Sequence, residues 1–178
     1  MSEHHLILGE IVDFITGKTI KDTHDERYRQ KIARFLVEKK GYLKTDIHPR
    51  QDLRISIDGN VAVIRIDFAV NVEEKTFMVI RYGPGSLVTR ERPSVAAARL
   101  LEPYQIPVTI VTNGEDAEIL DTVSGKVIAH GFDAIPSKKE GIKRVRKIQL
   151  HAIPERQAEK EMRILYAFDI VGSCECGL

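Results

Sequence analysis

The sequence predicts an α/β domain whose mixed sheet is sandwiched between helices. Three observations carry this. A helix-periodic stretch, "THDERYRQKIARFLVEKKGY", precedes three β-rich runs joined by short turns. An alanine-rich helical stretch, "RPSVAAARLLEPY", follows them. Then "IPVTIVTNG" supplies an apolar, β-branched run of the kind buried on both faces of a sheet, with "DAEILDT" as a further strand. Strands and helices mixed in this order call for a sheet with helices packed on it.

Taken in order, "GEIVDFITGKTIKDT" reads as two short β segments around Thr16-Gly17-Lys18, a turn by its glycine. In the helix that follows, Tyr28, Ile32, Phe35, Leu36 and Lys39 keep helical spacing, and Gly41 supplies a stop. Thr23 and Glu26 form the S/T-x-x-E capping pattern and place the helix start near Thr23. "QDLRISIDGNVAVIRIDFAV" is a pair of strands around Asp58-Gly59, a strong hairpin signal. "TFMVIRYG" is the third strand. Pro93 and Ser94 mark the expected start of the alanine-rich helix. "ILDTVSGKVIAHG" nearly repeats the first hairpin phrase, with Ser124-Gly125-Lys126 as its turn. Two similar hairpins explain the likeness better than a duplicated unit at so short a length. The tail, "SKKEGIKRVRKIQLHAIPERQAEKEMRILYAF", suggests two charged helices. Ser137 and Glu140 form a capping box for the first, and Pro154 suits the start of the second.

The totals narrow the function classes. At 178 residues, 43% apolar and 30% charged, the chain has room for one domain with a proper core and not for two of ordinary size. The expected layout is therefore a single domain over 1–178, with a core at about 9–135 and a charged helical appendage from about 136 onward. No apolar run approaches the ~18 residues of a membrane span, and "MSEHHLILGE" lacks a basic flank before its short apolar run. A cytoplasmic location fits, with no membrane partner. A net charge of +1 gives no global pull on nucleic acid, so such binding must come from a local patch. Both cysteines, Cys174 and Cys176, lie in the last five residues, so no disulfide framework holds the core. Two thiolates one residue apart do not complete a zinc site, and a tail is the plainer reading.

Four stretches together look familiar: "DERYRQKIARFLVEKKGY", "RIDFAV", "MVIRYGPG" and "IPVTIVTNGEDAEILDTVSGKV". In them the chain resembles the N-terminal domain of the type I restriction enzyme R subunit and its stand-alone bacterial relatives, over about Asp22 to Val127. The resemblance implies a PD-(D/E)xK restriction-endonuclease-like fold, with a mixed sheet flanked by helices. It also implies a magnesium ion placed by a helix glutamate, a strand aspartate and an E-x-K pair on the next strand. Hard Mg2+ takes carboxylate oxygens in an open octahedral site, and the lysine assists the attacking water. Carried over, Glu26 matches the helix acid, Gln30 the amide after it and Asp67 the strand aspartate, so Asp67 and Glu26 are the candidate metal ligands.

The E-x-K pair does not carry over. Counting back from Pro84, Ile80 and Tyr82 take the Glu and Lys positions. A two-residue turn at Glu73-Glu74 sets Asp67 opposite Ile80, in agreement; a register one residue different would put Val79 and Arg81 there. Neither register supplies a second carboxylate, so the implied site is vestigial. "EEK" at Glu73 to Lys75 is a literal E-x-K, but it sits at the hairpin tip, on the order of 20 Å from Asp67 at a strand rise of ~3.3 Å.

Each candidate has a plainer structural role. Glu26 can be the capping acid of its helix, and Asp67 can pair with Arg65 on the same strand face. "YGPGS" can be a turn. Lys138, Lys139, Lys143, Arg144, Arg146 and Lys147 can be a solvated helix face, or a phosphate-binding stripe in which Lys143, Arg144, Arg146 and Lys147, with Arg81, contact nucleic acid. Three functions follow. One is a catalytically degenerate nuclease-fold protein that binds DNA or a restriction-system subunit. Another is an active Mg2+-dependent DNA endonuclease with a relocated acid, for which Glu91 and Glu102 are nearest in sequence. The third is a non-enzymatic interaction protein, acting as a homodimer. Mg2+ is the one cofactor the resemblance suggests.

Overall fold

The structure is a computed structural model that describes residues 7–171. Cys174 and Cys176 lie outside the described residues. A two-stranded ribbon comes first, β1 (Gly9–Val12) paired antiparallel with β2 (Thr19–Asp22). Helix α1 (His24–Glu38) follows directly, with Thr23 as its N-cap: the Thr23 hydroxyl accepts the Glu26 N–H at 3.1 Å. Ile32, Ala33 and Leu36 of α1 are fully buried.

Six strands make the main sheet: β3 (Ile47–Ile57), β4 (Asn60–Val72), β5 (Lys75–Tyr82), β6 (Val108–Thr112), β7 (Ala117–Asp121) and β8 (Lys126–His130). They lie in that order across the sheet, with β5 and β6 parallel and every other pair antiparallel. The parallel pair needs a crossover, and α2 (Val88–Leu100) provides it. Every residue of the central strand β6 is buried, as its unbroken apolar run requires.

Side chains alternate between the two faces of the sheet. Met78, Ile80, Val108, Ile110 and Ile119 pack with Ile32 and Leu36 of α1 and with Ile135 and Val145. On the other face Val79, Ile64 and Ile66 pack with Ala96–Ala98 of α2. Those three alanines present no bulk, which lets α2 lie close on the sheet. The helix starts five residues before Pro93, contrary to the sequence expectation, and Pro93 sits inside it. A proline there forfeits one intrahelical bond but lies near enough to the start for the helix to absorb the loss.

Alternation slips once in β4. Ile64 and Ile66 belong to the α2 side, whereas Phe68 and Val70 belong to the α1 side. Between them stands Asp67, level with Arg50 in β3, since Pro49 pairs with Phe68 and Gln51 with Ile66. Arg50 has φ +55°, in the left-handed region that costs a non-glycine residue about 1 kcal/mol. A second irregularity, a bulge between Val70 and Asn71, lies farther along β4.

The charged appendage comprises α3 (Lys138–Val145), with the reciprocal Ser137–Glu140 capping box, and α4 (Glu155–Leu165), with Pro154 at its N-cap. A π-helical turn, Tyr166–Val171, continues α4. Helix α3 joins the α1 face through Val145, and α4 joins the α2 face through Leu165. An ion triad fastens α4: Glu161, only 1% exposed, accepts Arg99 Nη1 at 2.6 Å and Arg92 Nη1 at 2.5 Å. Burial by itself raises the Glu161 carboxyl, but the two arginines outweigh it and hold it below its ordinary range. Arg99 also donates to the carbonyls of Thr122 and Val123.

Removing the acid from such a triad strands buried positive charge. Glu161→Ala is expected to lower the unfolding free energy by about 3 kcal/mol, read from the midpoint of a urea titration. A loss within 0.5 kcal/mol, the range of about that size typical of surface sites, would mean the triad adds nothing net.

Candidate functional site

Asp67, Glu26 and Gln30 come together on the α1 side of the sheet. Glu26 and Gln30 are one turn apart on α1, so their side chains share its inner face, and both are buried. Gln30 Nε2 donates to Glu26 Oε1 at 2.8 Å and to Asp13 Oδ2 at 3.1 Å, while its Oε1 accepts the Phe14 N–H. Arg50 completes the arrangement: its Nη2 bonds Asp13 Oδ2 at 2.8 Å and Glu26 Oε1 at 2.7 Å. Two nitrogens and two carboxylate oxygens thus close a ring. Glu26 does not cap its own helix with this carboxylate. The capping signal Thr-x-x-Glu was half met, since Thr23 caps and Glu26 turns inward.

Asp67 is neutralised by Arg29, not by Arg65. Arg29 Nε reaches Asp67 Oδ1 at 2.5 Å, and its Nη1 lies 3.8 Å from Glu26 Oε2. Arg65 is exposed and pairs with Asp52 across the β3–β4 ladder. Tyr82 N–H donates to the other Asp67 oxygen at 2.7 Å, so the carboxylate takes the place of a ladder carbonyl.

The turn at Glu73-Glu74 has two residues, both with positive φ as a primed hairpin turn demands. The bulge then shifts the ladder by one. Phe68 faces Ile80, so Asp67 stands level with Arg81 instead of Ile80. Ile80 and Tyr82 nevertheless share the α1 face. Ile80 is fully buried in the core. The Tyr82 ring stacks on Tyr28 at 5.7 Å, lies 5.2 Å from the Arg29 guanidinium carbon, and its hydroxyl donates to Asp25. Burial and the Asp25 charge push the Tyr82 phenol well above its usual range. Arg81 faces the other way and gives both arms of its fork to Asp169 beyond α4.

The remaining acids named from the sequence lie elsewhere. Glu91 stands beside Glu118, whose carboxyl is raised by burial and by Glu91. Glu102 accepts the Thr76 hydroxyl. Glu73 is held by Arg146. In the basic stripe Lys138 pairs with Asp46, Arg144 lies over the Phe77 ring, and Lys139, Lys143 and Lys147 are exposed.

Sequence reasoning missed Asp13, Arg29 and Arg50. Asp13 had a signal: an Asx-type turn at "DFITG", in which its Oδ1 accepts Ile15 N–H, Thr16 N–H and the Thr16 hydroxyl. Arg50 had none, because a left-handed residue after a proline inside a strand is not readable from composition.

A magnesium ion implied by the resemblance would need Glu26 and Asp67 as ligands. The donor set does not fit it: Arg29 stands between the two carboxylates, and the next strand contributes the apolar Ile80. Among the described residues, no group of three or more His, Cys, Asp or Glu side chains is placed to hold a metal.

Burial works to raise the Asp13 carboxyl, but the Thr16 N–H, Arg50, the Thr16 hydroxyl and Gln30 outweigh it and bring it down to about 2. A depressed carboxylate contributes stability above its unfolded pKa, here near 3.8, and loses it as pH falls toward 2. The shift corresponds to about 2 kcal/mol. Wild type should therefore lose that amount relative to Asp13→Asn between pH 5 and pH 2, measured by denaturant unfolding. Parallel pH profiles for the two proteins would remove Asp13 from this role.

The family model for the type I restriction enzyme R protein N terminus matches residues 24–136. Searches of curated proteins and of solved structures returned no match. No helix among the described residues is long and apolar enough to cross a membrane. The matched stretch runs from the first residue of α1 through β8 to the threshold of α3, so it includes Glu26, Gln30, Arg29, Arg50 and Asp67 and leaves out Asp13 and α4. With well over half the chain inside that match, this protein belongs to the family of type I restriction enzyme R protein N-terminal domains.

Proposed function

We propose that this chain is a non-hydrolysing member of its family that binds nucleic acid, or a restriction-system partner, on a nuclease-like framework. The occupancy of Asp67 carries the reading. Its two oxygens are taken by Arg29 and the Tyr82 amide, and Ile80 presents a buried apolar wall where a second acid is expected. Metal-assisted phosphodiester hydrolysis needs hard oxygen ligands around an open position. Here guanidinium groups fill the space between the carboxylates, which supports binding over cleavage. Membership of the restriction-enzyme family supports nucleic acid or restriction-system subunits as the partner class.

The nucleic-acid surface we assign is the α3 stripe. Arg81 is committed to Asp169, and Arg146 shares its guanidinium with Glu73. Lys143, Arg144 and Lys147 then carry most of the contact, with Arg146 joining when a phosphate competes with Glu73.

Supercoiled plasmid incubated with this protein in Mg2+ or Mn2+ is expected to stay intact; nicking that Asp67→Asn abolishes would refute the proposal. DNA binding followed by fluorescence anisotropy should be weak and independent of sequence. Three phosphate contacts give a salt slope near −0.9 per contact, or roughly one and a half decades of affinity between about 50 and 200 mM salt. Replacing Lys143, Arg144 and Lys147 with alanine should flatten the slope. An unchanged slope would move the contact to another surface.

A further inference from the structure

We infer that the cavity beside the last turn of α3 receives an unpaired nucleobase whose backbone phosphates lie on the basic stripe. The inference rests on the nucleic-acid reading above and deepens it: the strand bound is one with exposed bases, single-stranded or frayed, instead of an intact duplex. The cavity holds about 230 Å3 and is walled by three segments of the chain. Gln105 and Pro107 come from the approach to β6, Asp121 and Val123 from the end of β7, and Arg144 with residues 148–151 from the end of α3.

Charge places the phosphates outside the cavity. Arg144 belongs both to the stripe and to the cavity wall, with exposed Lys143 and Lys147 as its neighbours along the chain. Asp121 brings a carboxylate to the lining, and its Oδ1 is already spent on the Ser124 N–H and hydroxyl. A carboxylate there repels a phosphate from the interior. What remains suits a flat, neutral, hydrogen-bonding group. Pro107, Val123 and Ile148 supply apolar surface, and Val123 and Ile148 are 61% and 39% exposed. Gln105 and Gln149 supply amides that, among the described residues, make no side-chain hydrogen bond. An amide both donates and accepts, so it can meet the edge of any base, in keeping with binding that is independent of sequence. The volume lies below the roughly 300–1,000 Å3 of sites for drug-sized ligands, which fits one ring system and leaves sugar and phosphate at the mouth.

The walls are tied together by the backbone. The Ile148 N–H donates to the Arg144 carbonyl at 3.1 Å, which sets Ile148 one turn beyond Arg144 on the same side. The Gln105 N–H donates to the His151 carbonyl at 3.0 Å and pins the segment after α3 to the approach to β6. The Thr122 N–H donates to the Pro107 carbonyl at 3.2 Å and pins that approach to β7. A base therefore meets walls already in place, and little ordering cost offsets its contacts. A base inside a duplex has first to be unpaired and unstacked, which is why the cavity selects strands whose bases are free.

The experiment follows fluorescence anisotropy of the full chain at one fixed salt concentration with three DNA probes of equal length. These are a single strand of mixed sequence, the same strand with every base replaced by an abasic spacer, and the blunt duplex. Charge alone favours the duplex, whose salt slope is near −0.9 per contact against about −0.7 for a single strand. The base-bearing strand is nevertheless expected to bind more tightly than the duplex. It should also bind about tenfold more tightly than the abasic strand, the return from one or two hydrogen bonds and some buried apolar surface. Ile148 and Gln149 are both exposed, so Ile148→Ala/Gln149→Ala leaves the core intact. That change should remove the difference between the two strands without altering abasic binding, whereas Lys143→Ala should weaken both strands by the same factor. Equal binding of the base-bearing and abasic strands would overturn the inference and leave the stripe as a reader of charge. So would a base preference that survives Ile148→Ala/Gln149→Ala, or a duplex bound more tightly than the strand. If none of the three probes binds, the nucleic-acid reading itself fails, and this inference with it.

Discussion

A carboxylate in the middle of a buried strand must be neutralised where it stands, and the placement of Asp67 organises the α1 side of this protein. Leaving it bare would cost several kcal/mol. Arg29 answers it from α1 and Tyr82 answers it from the neighbouring strand, so one ionised group ties a helix to two strands. Arg29 in turn approaches Glu26, and Glu26 hands the connection through Gln30 and Arg50 to Asp13 and the β1–β2 ribbon. Apolar packing beneath, from Ile32 and Leu36 against Ile80 and Ile110, gives the bulk of the stabilisation. The polar chain gives the helix its rotation and the ribbon its place.

The succession of elements was legible because each long element repeats one simple rule. Alternation in the first half of β4, helical spacing in α1 and an unbroken apolar run in β6 all follow from which faces are buried. The C-terminal helices were legible from their caps. Pro93 misled because proline at a helix start is a tendency, and here five exposed or partly exposed residues before it extend the helix.

The site was legible in its residue types and not in its pairings. Glu26, Gln30 and Asp67 stand together, but Arg65 looked like the partner of Asp67 because it is near in sequence. Arg29 is 38 residues away and reaches it only after α1 docks. Register failed for a similar reason. The turn at Glu73-Glu74 was right, yet the bulge beside Asn71 moves every residue beyond it by one, and no residue type announces that. Both misses concern tertiary placement of single residues, to which periodicity is blind.

The irregularity at Pro49-Arg50 reaches beyond the cleft. Strand β3 is the first strand of the six-stranded sheet, eleven residues long, and among the described residues no strand pairs with its outer side. A long open strand is a template on which a foreign strand can add. The left-handed turn at Arg50, just after Pro49, breaks the line of carbonyls and amides that such a visitor would follow. The kink that turns the Arg50 guanidinium toward α1 also interrupts the sheet's outer rim near one end, so that its unbroken run is Gln51–Ile57 instead of the whole strand, a shorter template for edge-to-edge association.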